Sequence, residues 1–82
     1  MTDDSLALCI SFNDESYAQG EEARTAIVAK IRAMPEVADV WHVANGFDSD
    51  TCKITVTSPS VLEKAKSKIE ELRGVEKVYR FD

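Results

Sequence analysis

The sequence lacks the features that mark several large classes of protein. Its two cysteines, Cys9 and Cys52, form no C-x-x-C motif, which excludes thioredoxin-like redox chemistry and copper-chaperone binding. With 10 Lys and Arg against 15 Asp and Glu, the formal charge is -5, so we expect no direct binding to nucleic acid or to an anionic membrane surface. The longest apolar run, Leu6 to Ile10, is far shorter than a membrane span of ~20 residues. The acidic N-terminus does not resemble a signal peptide.

The chain also lacks the short motifs of common enzyme families. No G-x-S-x-G, P-loop, G-x-G-x-x-G or H-E-x-x-H sequence occurs, so no nucleophile or phosphate cradle is visible. The single histidine, His42, would need Asp48 or Asp50 as a partner for acid–base or metal chemistry. We interpret His42 as a partly exposed strand residue and the two aspartates as a solvated acidic turn. We therefore expect no catalytic residues, no cofactor and no metal site.

What is present is the composition of one small globular domain, residues 1–82. The chain is 44% hydrophobic and 30% charged and has only three Gly and two Pro, which separates it from disordered and low-complexity sequences. So short a chain buries little more than ~60% of its unfolded surface, and self-association would supplement its thin core. Two cysteines without a disulfide framework fit a reducing cytoplasm.

The spacing of apolar residues predicts four strands and two helices. Period-two alternation predicts strands at residues 6–12, 37–44, 51–57 and 75–81. Helical spacing predicts a first helix that begins at Glu21 and is ended by Pro35. The polar, acidic stretch 13–20 is predicted to be a loop, and Asn45-Gly46 a two-residue hairpin turn.

The second predicted helix has its own start and stop signals. Ser58 is the predicted N-cap and Pro59 the first helical residue, because proline is tolerated where no helical hydrogen bond is donated. Gly74 is the predicted stop. The order β-α-β-β-α-β indicates an α+β, ferredoxin-like fold of the dimeric α+β barrel type. It has a four-stranded antiparallel sheet, strand order 4-1-3-2, and two helices on one face.

The predicted hairpin requires one register correction. A strict two-residue turn would point Val40 away from Cys52, so we predict a β-bulge at Asp48-Ser49-Asp50 that returns both to the core face and displays two carboxylates. Cys9 lies on the opposite face of the sheet from Cys52, and the two therefore cannot form a disulfide without refolding.

The face of the sheet that the helices leave uncovered is predicted to carry an apolar strip. Large exposed apolar patches usually mark an interface, so we expect a homodimer formed through this face. The alternative is a monomer that Lys53 and Lys77 keep soluble. By alternation the strip contains Ala7, Cys9, Trp41, Val43, Thr51, Thr55, Thr57, Tyr79 and Phe81. The predicted dimer contacts are Cys9, Trp41, Val43, Tyr79 and Phe81.

From Ile31 onward the sequence resembles the effector domain, or RAM domain, of the Lrp/AsnC family of transcription regulators. Family members show a helix ending in P-x-V, a hairpin with G-x-[YF]-D, a Lys/Val-rich strand and a last strand opened by L-x-G-V. The residues that carry the resemblance are Met34-Pro35-Glu36-Val37, Asn45-Gly46-Phe47-Asp48, Lys53-Ile54-Thr55-Val56 and Leu72-Arg73-Gly74-Val75 with Val78. The family's helix-turn-helix domain is absent, so the chain resembles a stand-alone effector domain.

The resemblance implies a non-enzymatic regulatory module. Such domains form dimers and rings and bind small, amino-acid-like effectors near the hairpin, here Asn45, Gly46, Phe47 and Asp48. It also implies mixed assembly with full-length Lrp/AsnC regulators. Two alternatives remain open: a small dimeric α+β barrel enzyme of the cofactor-free oxygenase or isomerase type, and a ligand-free oligomerisation adaptor. The enzyme would need a polar cluster facing inward, for which the sequence offers only His42 and the hairpin acids.

Overall fold

The computed structural model describes residues 7–44 and 50–80. Within these ranges lie four strands, three helices and one 3-10 turn. The strands are β1 (Ala7–Phe12), β2 (Val37–Val43), β3 (Thr51–Val56) and β4 (Val75–Arg80). The helices are α1 (Asp14–Gln19), α2 (Glu21–Arg32) and α3 (Leu62–Glu70), and the 3-10 turn spans Pro59–Val61. None of these helices is long and apolar enough to cross a bilayer.

The stretch 13–20, predicted to be a loop, contains the helix α1, so that prediction is wrong. Asn13 caps the helix because its Oδ1 accepts the N–H of Ser16 at 2.9 Å. Asp14 and Glu15 lie in the first turn, where negative charge is favourable. Gly20, with φ of 101°, separates α1 from α2. The Asn13 cap and the acidic first turn therefore stabilise a helix in a stretch whose polarity indicated a loop.

The start and the end of the second predicted helix also differ from the prediction. Ser58 precedes a 3-10 turn and makes no capping hydrogen bond, because its hydroxyl lies 2.9 Å from that of Ser60. The α-helix begins only at Leu62 and ends at Glu70, and Gly74 instead forms the turn into β4. Pro59 does stand at the first position of the 3-10 turn.

The strands form one antiparallel sheet in the order β2-β3-β1-β4, which is the predicted order read from the other edge. Side chains from α2 and α3 pack with the inward side chains of the sheet in a single core. The α+β, ferredoxin-like fold is therefore confirmed. The largest fully buried members of this core are Leu8, Ile31, Ile54, Ile69, Val56 and Cys52.

The register of the hairpin places Val40 and Cys52 on the same face, as predicted. Val40 lies opposite Ile54 and His42 opposite Cys52, so Val40 and Cys52 do share the core face. The pairing between β2 and β3 shifts between Val37 and Asp39. The predicted bulge falls largely on residues 48–49, which lie outside the described residues.

Candidate functional site

The uncovered face of the sheet presents one row of side chains that crosses all four strands. Trp41 lies opposite Lys53, Lys53 opposite Cys9, and Cys9 opposite Tyr79. Trp41 is 55% exposed and Tyr79 45% exposed, and each stands on an edge strand. Val43, two residues from Trp41 on the same face, is 38% exposed. Two exposed aromatic side chains therefore stand at opposite edges of this face.

A cavity of about 440 Å³, here called the trough, lies over β2, β3 and β1 on this face. Its volume falls within the ~300–1,000 Å³ of small-molecule sites. An indole wall, two threonine hydroxyls, a thiol and charges of both signs line it. The lining residues are Cys9, Asp39, Trp41, Thr51, Lys53 and Thr55. Ala7, predicted for the same face, is buried.

The two cysteines occupy the opposite faces predicted for them, and both are free thiols. Burial raises the pKa of Cys52 to about 12, so this thiol stays protonated. Partial burial also raises the pKa of Cys9, while the nearby Lys53 ammonium acts in the opposite direction. Neither thiol has the lowered pKa of a catalytic nucleophile.

A buried polar cluster lies on the other face of the sheet, between the sheet and α2. The carboxylate of Asp50 is fully buried and accepts a hydrogen bond from Arg24 Nε at 2.6 Å. Nε2 of His42 lies 2.8 Å from the same carboxylate oxygen. Because a carboxylate only accepts, a neutral His42 must carry its proton on Nε2. The prediction that Asp50 belongs to a solvated turn is therefore wrong.

Tyr17 and Arg24 complete this cluster. The Tyr17 hydroxyl accepts the backbone N–H of Asp50 at 2.9 Å, and the Arg24 guanidinium stacks 4.4 Å from the centre of the Tyr17 ring. Arg24 also donates to the carbonyl of Ser16 at 3.4 Å. Phe12 contacts the rings of both Tyr17 and His42. The cluster thus joins α1, α2 and β2 to the residue before β3.

The sequence reading missed two members of this cluster. Tyr17 lay in the stretch predicted to be a loop, so it was assigned no face. Arg24 stands three residues before the core residue Ile27, and this helical spacing could have placed it on the buried side of α2. His42 was predicted to be partly exposed, and its side chain is only 10% exposed.

Three ion pairs, two of them made by Glu36, connect different elements of the fold. The buried Glu36 carboxylate binds Lys68 at 2.8 Å and Lys64 at 3.5 Å, and the Lys68 hydrogen bond lowers the pKa of Glu36. On the surface, Arg73 donates two hydrogen bonds to Glu15, which lower the pKa of that carboxyl. These pairs connect Glu36 to α3 and α1 to the turn before β4.

The effector residues predicted from the hairpin, Asn45, Gly46, Phe47 and Asp48, lie outside the described residues, as does the predicted dimer contact Phe81. Ranges 7–44 and 50–80 contain no group of three or more His, Cys, Asp or Glu residues that could hold a metal ion. Comparison of the chain with protein-family models, curated proteins and solved structures finds no match.

Proposed function

We propose that the chain is a non-enzymatic regulatory module that forms a homodimer through the uncovered face of its sheet. One observation carries the proposal: Trp41 and Tyr79 stand exposed on the same cross-strand row, at opposite edges of the sheet, and Trp41 lines a cavity of about 440 Å³ on this face. Exposed tryptophan and tyrosine are enriched where protein interfaces form. A standard interface takes ~800 Å² from each partner, about a sixth of the 5013 Å² accessible surface of this chain.

A second copy of the chain is the occupant that this face favours. A two-fold axis brings the same surface of both copies together, and we place the Trp41 side chain of each copy against the trough of the other. The face also carries both signs of charge, Asp39 and Lys53. Asp39 of one copy can therefore approach Lys53 of the other without like-charge repulsion.

The effector and the regulatory partner are proposed from the family resemblance. The module binds a small, amino-acid-like effector at Asn45, Gly46, Phe47 and Asp48, between dimers of a larger ring. It assembles with full-length Lrp/AsnC regulators in the cytoplasm. The hydrogen bonds of Asp50 to Arg24, His42 and Tyr17 support this effector site indirectly. They fix the position of the chain two residues after Asp48.

Sedimentation velocity over a concentration series tests the dimer. We expect the native chain to sediment as a dimer or as a larger assembly of dimers, and the Trp41→Ser and Tyr79→Ser variants to sediment as monomers. Glu22→Ser, an exposed change on α2, is the control and leaves the dimer intact. A native chain that stays monomeric to millimolar concentration contradicts the proposal.

Thermal unfolding in the presence of each of the twenty amino acids tests the effector. A ligand at 100 times its dissociation constant adds ~2.7 kcal/mol, which raises the Tm of so small a domain by about 10 °C or more. We expect this rise for one amino acid and its loss in Asp48→Ala. A dimer with no response to any amino acid would instead be a ligand-free oligomerisation adaptor.

An enzyme of the dimeric α+β barrel type is the second candidate, and the buried cluster is the observation that favours it. Tyr17, Arg24, His42 and Asp50 supply the inward-facing polar groups that such an enzyme needs. Asp50 orients the His42 ring through Nε2, which leaves Nδ1 as the nitrogen for acid–base chemistry, whereas the catalytic triad uses the two nitrogens the other way round. His42→Gln discriminates the two readings: a structural His42 changes stability and leaves effector binding intact, whereas an enzyme loses turnover of its substrate while remaining folded.

A further inference from the structure

A second cavity lies on the helix side of the molecule, bounded by α1, α2 and the turn before β4. Its volume is about 230 Å³, below the ~300–1,000 Å³ typical of sites for drug-sized ligands. Ala23, Ala26 and Ile27 of α2 form an apolar wall. The charged residues of the lining are Glu15, Lys30 and Arg73, and Ser16, Gln19 and Gly74 also line the cavity. The cavity shares no residue with the trough on the uncovered face of the sheet.

The walls of this cavity are held together by contacts between different elements. The backbone N–H of Asn13 donates to the carbonyl of Gly74 at 2.9 Å, which joins the start of α1 to the turn before β4. Gly74 has a φ of 101°, and a Cβ there would lie 2.5 Å from Cδ1 of Ile27. The turn therefore packs closely against α2. A ligand would enter a site that is already formed, which reduces the entropic cost of binding.

The charges that line the cavity differ in sign from the rest of the chain. Lys30 and Arg73 contribute two cations against the one anion of Glu15, in a protein of formal charge -5. Glu15 accepts from Nε of Arg73 at 3.1 Å and from Nη2 at 2.7 Å. Nη1 of Arg73 takes no part in this pair and keeps its donors, and Arg73 and Lys30 both line the cavity. One positive charge is left over, which matches a single negative charge on a ligand.

We propose that this cavity binds a short-chain aliphatic carboxylate. The apolar tail lies against Ala23, Ala26 and Ile27, and the carboxylate accepts hydrogen bonds from Lys30 Nζ and Arg73 Nη1. The size of the cavity limits the tail to a few carbons, and the single excess cation favours a monoanion over a dianion. So small a ligand binds with a Kd on the order of 1 mM. This site depends neither on the dimer nor on the hairpin effector.

Amide chemical shifts in a two-dimensional ¹H–¹⁵N NMR titration test the proposal with isovalerate as the probe. We expect saturable shifts centred on Ala23, Ala26, Ile27 and Gly74. Isovaleramide, which has the same tail without the charge, produces no saturable shift. Lys30→Gln weakens isovalerate binding about three- to tenfold because it removes one charged donor. Lys77→Gln removes the same charge from an exposed position on β4 and leaves the affinity unchanged.

Each contrary outcome overturns the proposal in a recognisable way. Equal binding of isovaleramide means that the site recognises only the apolar tail. Equal binding of inorganic phosphate means that it recognises only charge. Tighter binding of valine than of isovalerate means that Glu15 binds the ammonium group of valine and that the site prefers a zwitterion. Shifts that persist unchanged in Lys30→Gln place the ligand elsewhere. Binding at this cavity is expected to leave the sedimentation of the protein unchanged. The sedimentation experiment therefore tests the dimer independently of this site.

Discussion

Replacing Asp50 with asparagine removes one buried negative charge and keeps the shape of the side chain. In the native protein the Asp50 side chain is fully buried, and that of Arg24 is 4% exposed. Their atoms lie 2.6 Å apart. Asp50→Asn leaves the Arg24 guanidinium buried without a counter-charge. Loss of one partner from a buried pair costs about 3–5 kcal/mol. We expect about 3 kcal/mol here, because the amide oxygen of asparagine still accepts one hydrogen bond.

This loss is large relative to the stability of the domain. At ~0.05–0.15 kcal/mol per residue, a chain of this length has a free energy of unfolding of about 4–12 kcal/mol. A loss of about 3 kcal/mol lowers the Tm of such a domain by about 12–24 °C. Urea unfolding followed by far-UV circular dichroism measures the change, at one fixed protein concentration because association contributes to stability.

The control is an exposed ion pair of the same kind. Glu70→Gln removes the carboxylate that binds Lys66 at 3.1 Å one turn away on α3. It should cost less than about 0.5 kcal/mol. The double variant Arg24→Met/Asp50→Asn should lose less stability than the sum of its single variants, because no unpaired charge remains buried. A loss below about 1 kcal/mol for Asp50→Asn, or strict additivity, would refute the reasoning.

Three further predictions concern the thiols, the acid limit of stability and the glycines. Iodoacetamide should alkylate Cys9 slowly and should reach Cys52, whose pKa is about 12, only after unfolding; mass spectrometry of a time course checks the order. The pKa of Glu36 is lowered in the folded state, so its stabilising effect is present above the ordinary value of 4.5 and is lost as the pH falls through the folded pKa. Glu36→Gln should therefore flatten the dependence of Tm on pH in this acidic range, and an unchanged profile would contradict the assignment. Gly20→Ala and Gly74→Ala both place alanine at a φ of 101°, but only at Gly74 does the new Cβ meet a packed side chain. Gly74→Ala should be the less stable variant by about 1 kcal/mol in urea unfolding, and equal losses would show that packing at this turn is loose.

Local periodicity was sufficient for most of the fold. The alternation from Ala7 to Phe12 identified a strand, and helical spacing between Glu21 and Arg32 identified a helix, because each period follows from the geometry of its own element. The order of these elements then left few topologies, and the sheet order followed. The short helix α1 escaped this reasoning. Six residues are too few to display a period, and the helix depends on the cap formed by Asn13 and on contacts with other elements, such as the Arg73–Glu15 pair.

The uncovered face could be predicted for the same reason. Trp41 and Tyr79 belong to strands whose alternation sends them away from the helices, so their exposure followed from the strand assignments. The exact register did not follow, because it depends on the hairpin and on an irregularity between Val37 and Asp39. The alignment of Trp41, Lys53, Cys9 and Tyr79 in one row is a result of that register.

The buried cluster, by contrast, was decided only by the tertiary structure. The sequence contains 15 acidic residues, and nothing local distinguishes Asp50 from those that face water. Asp50 is stable in the interior because two partners contact its carboxylate. Arg24 of α2 lies 26 residues away in the sequence, and His42 of β2 lies 8 residues away. Desolvation of a carboxylate is tolerated only where such partners converge. The sequence alone therefore determined the elements, their order and the exposed face, whereas only the packing of distant elements decided which charge could be buried.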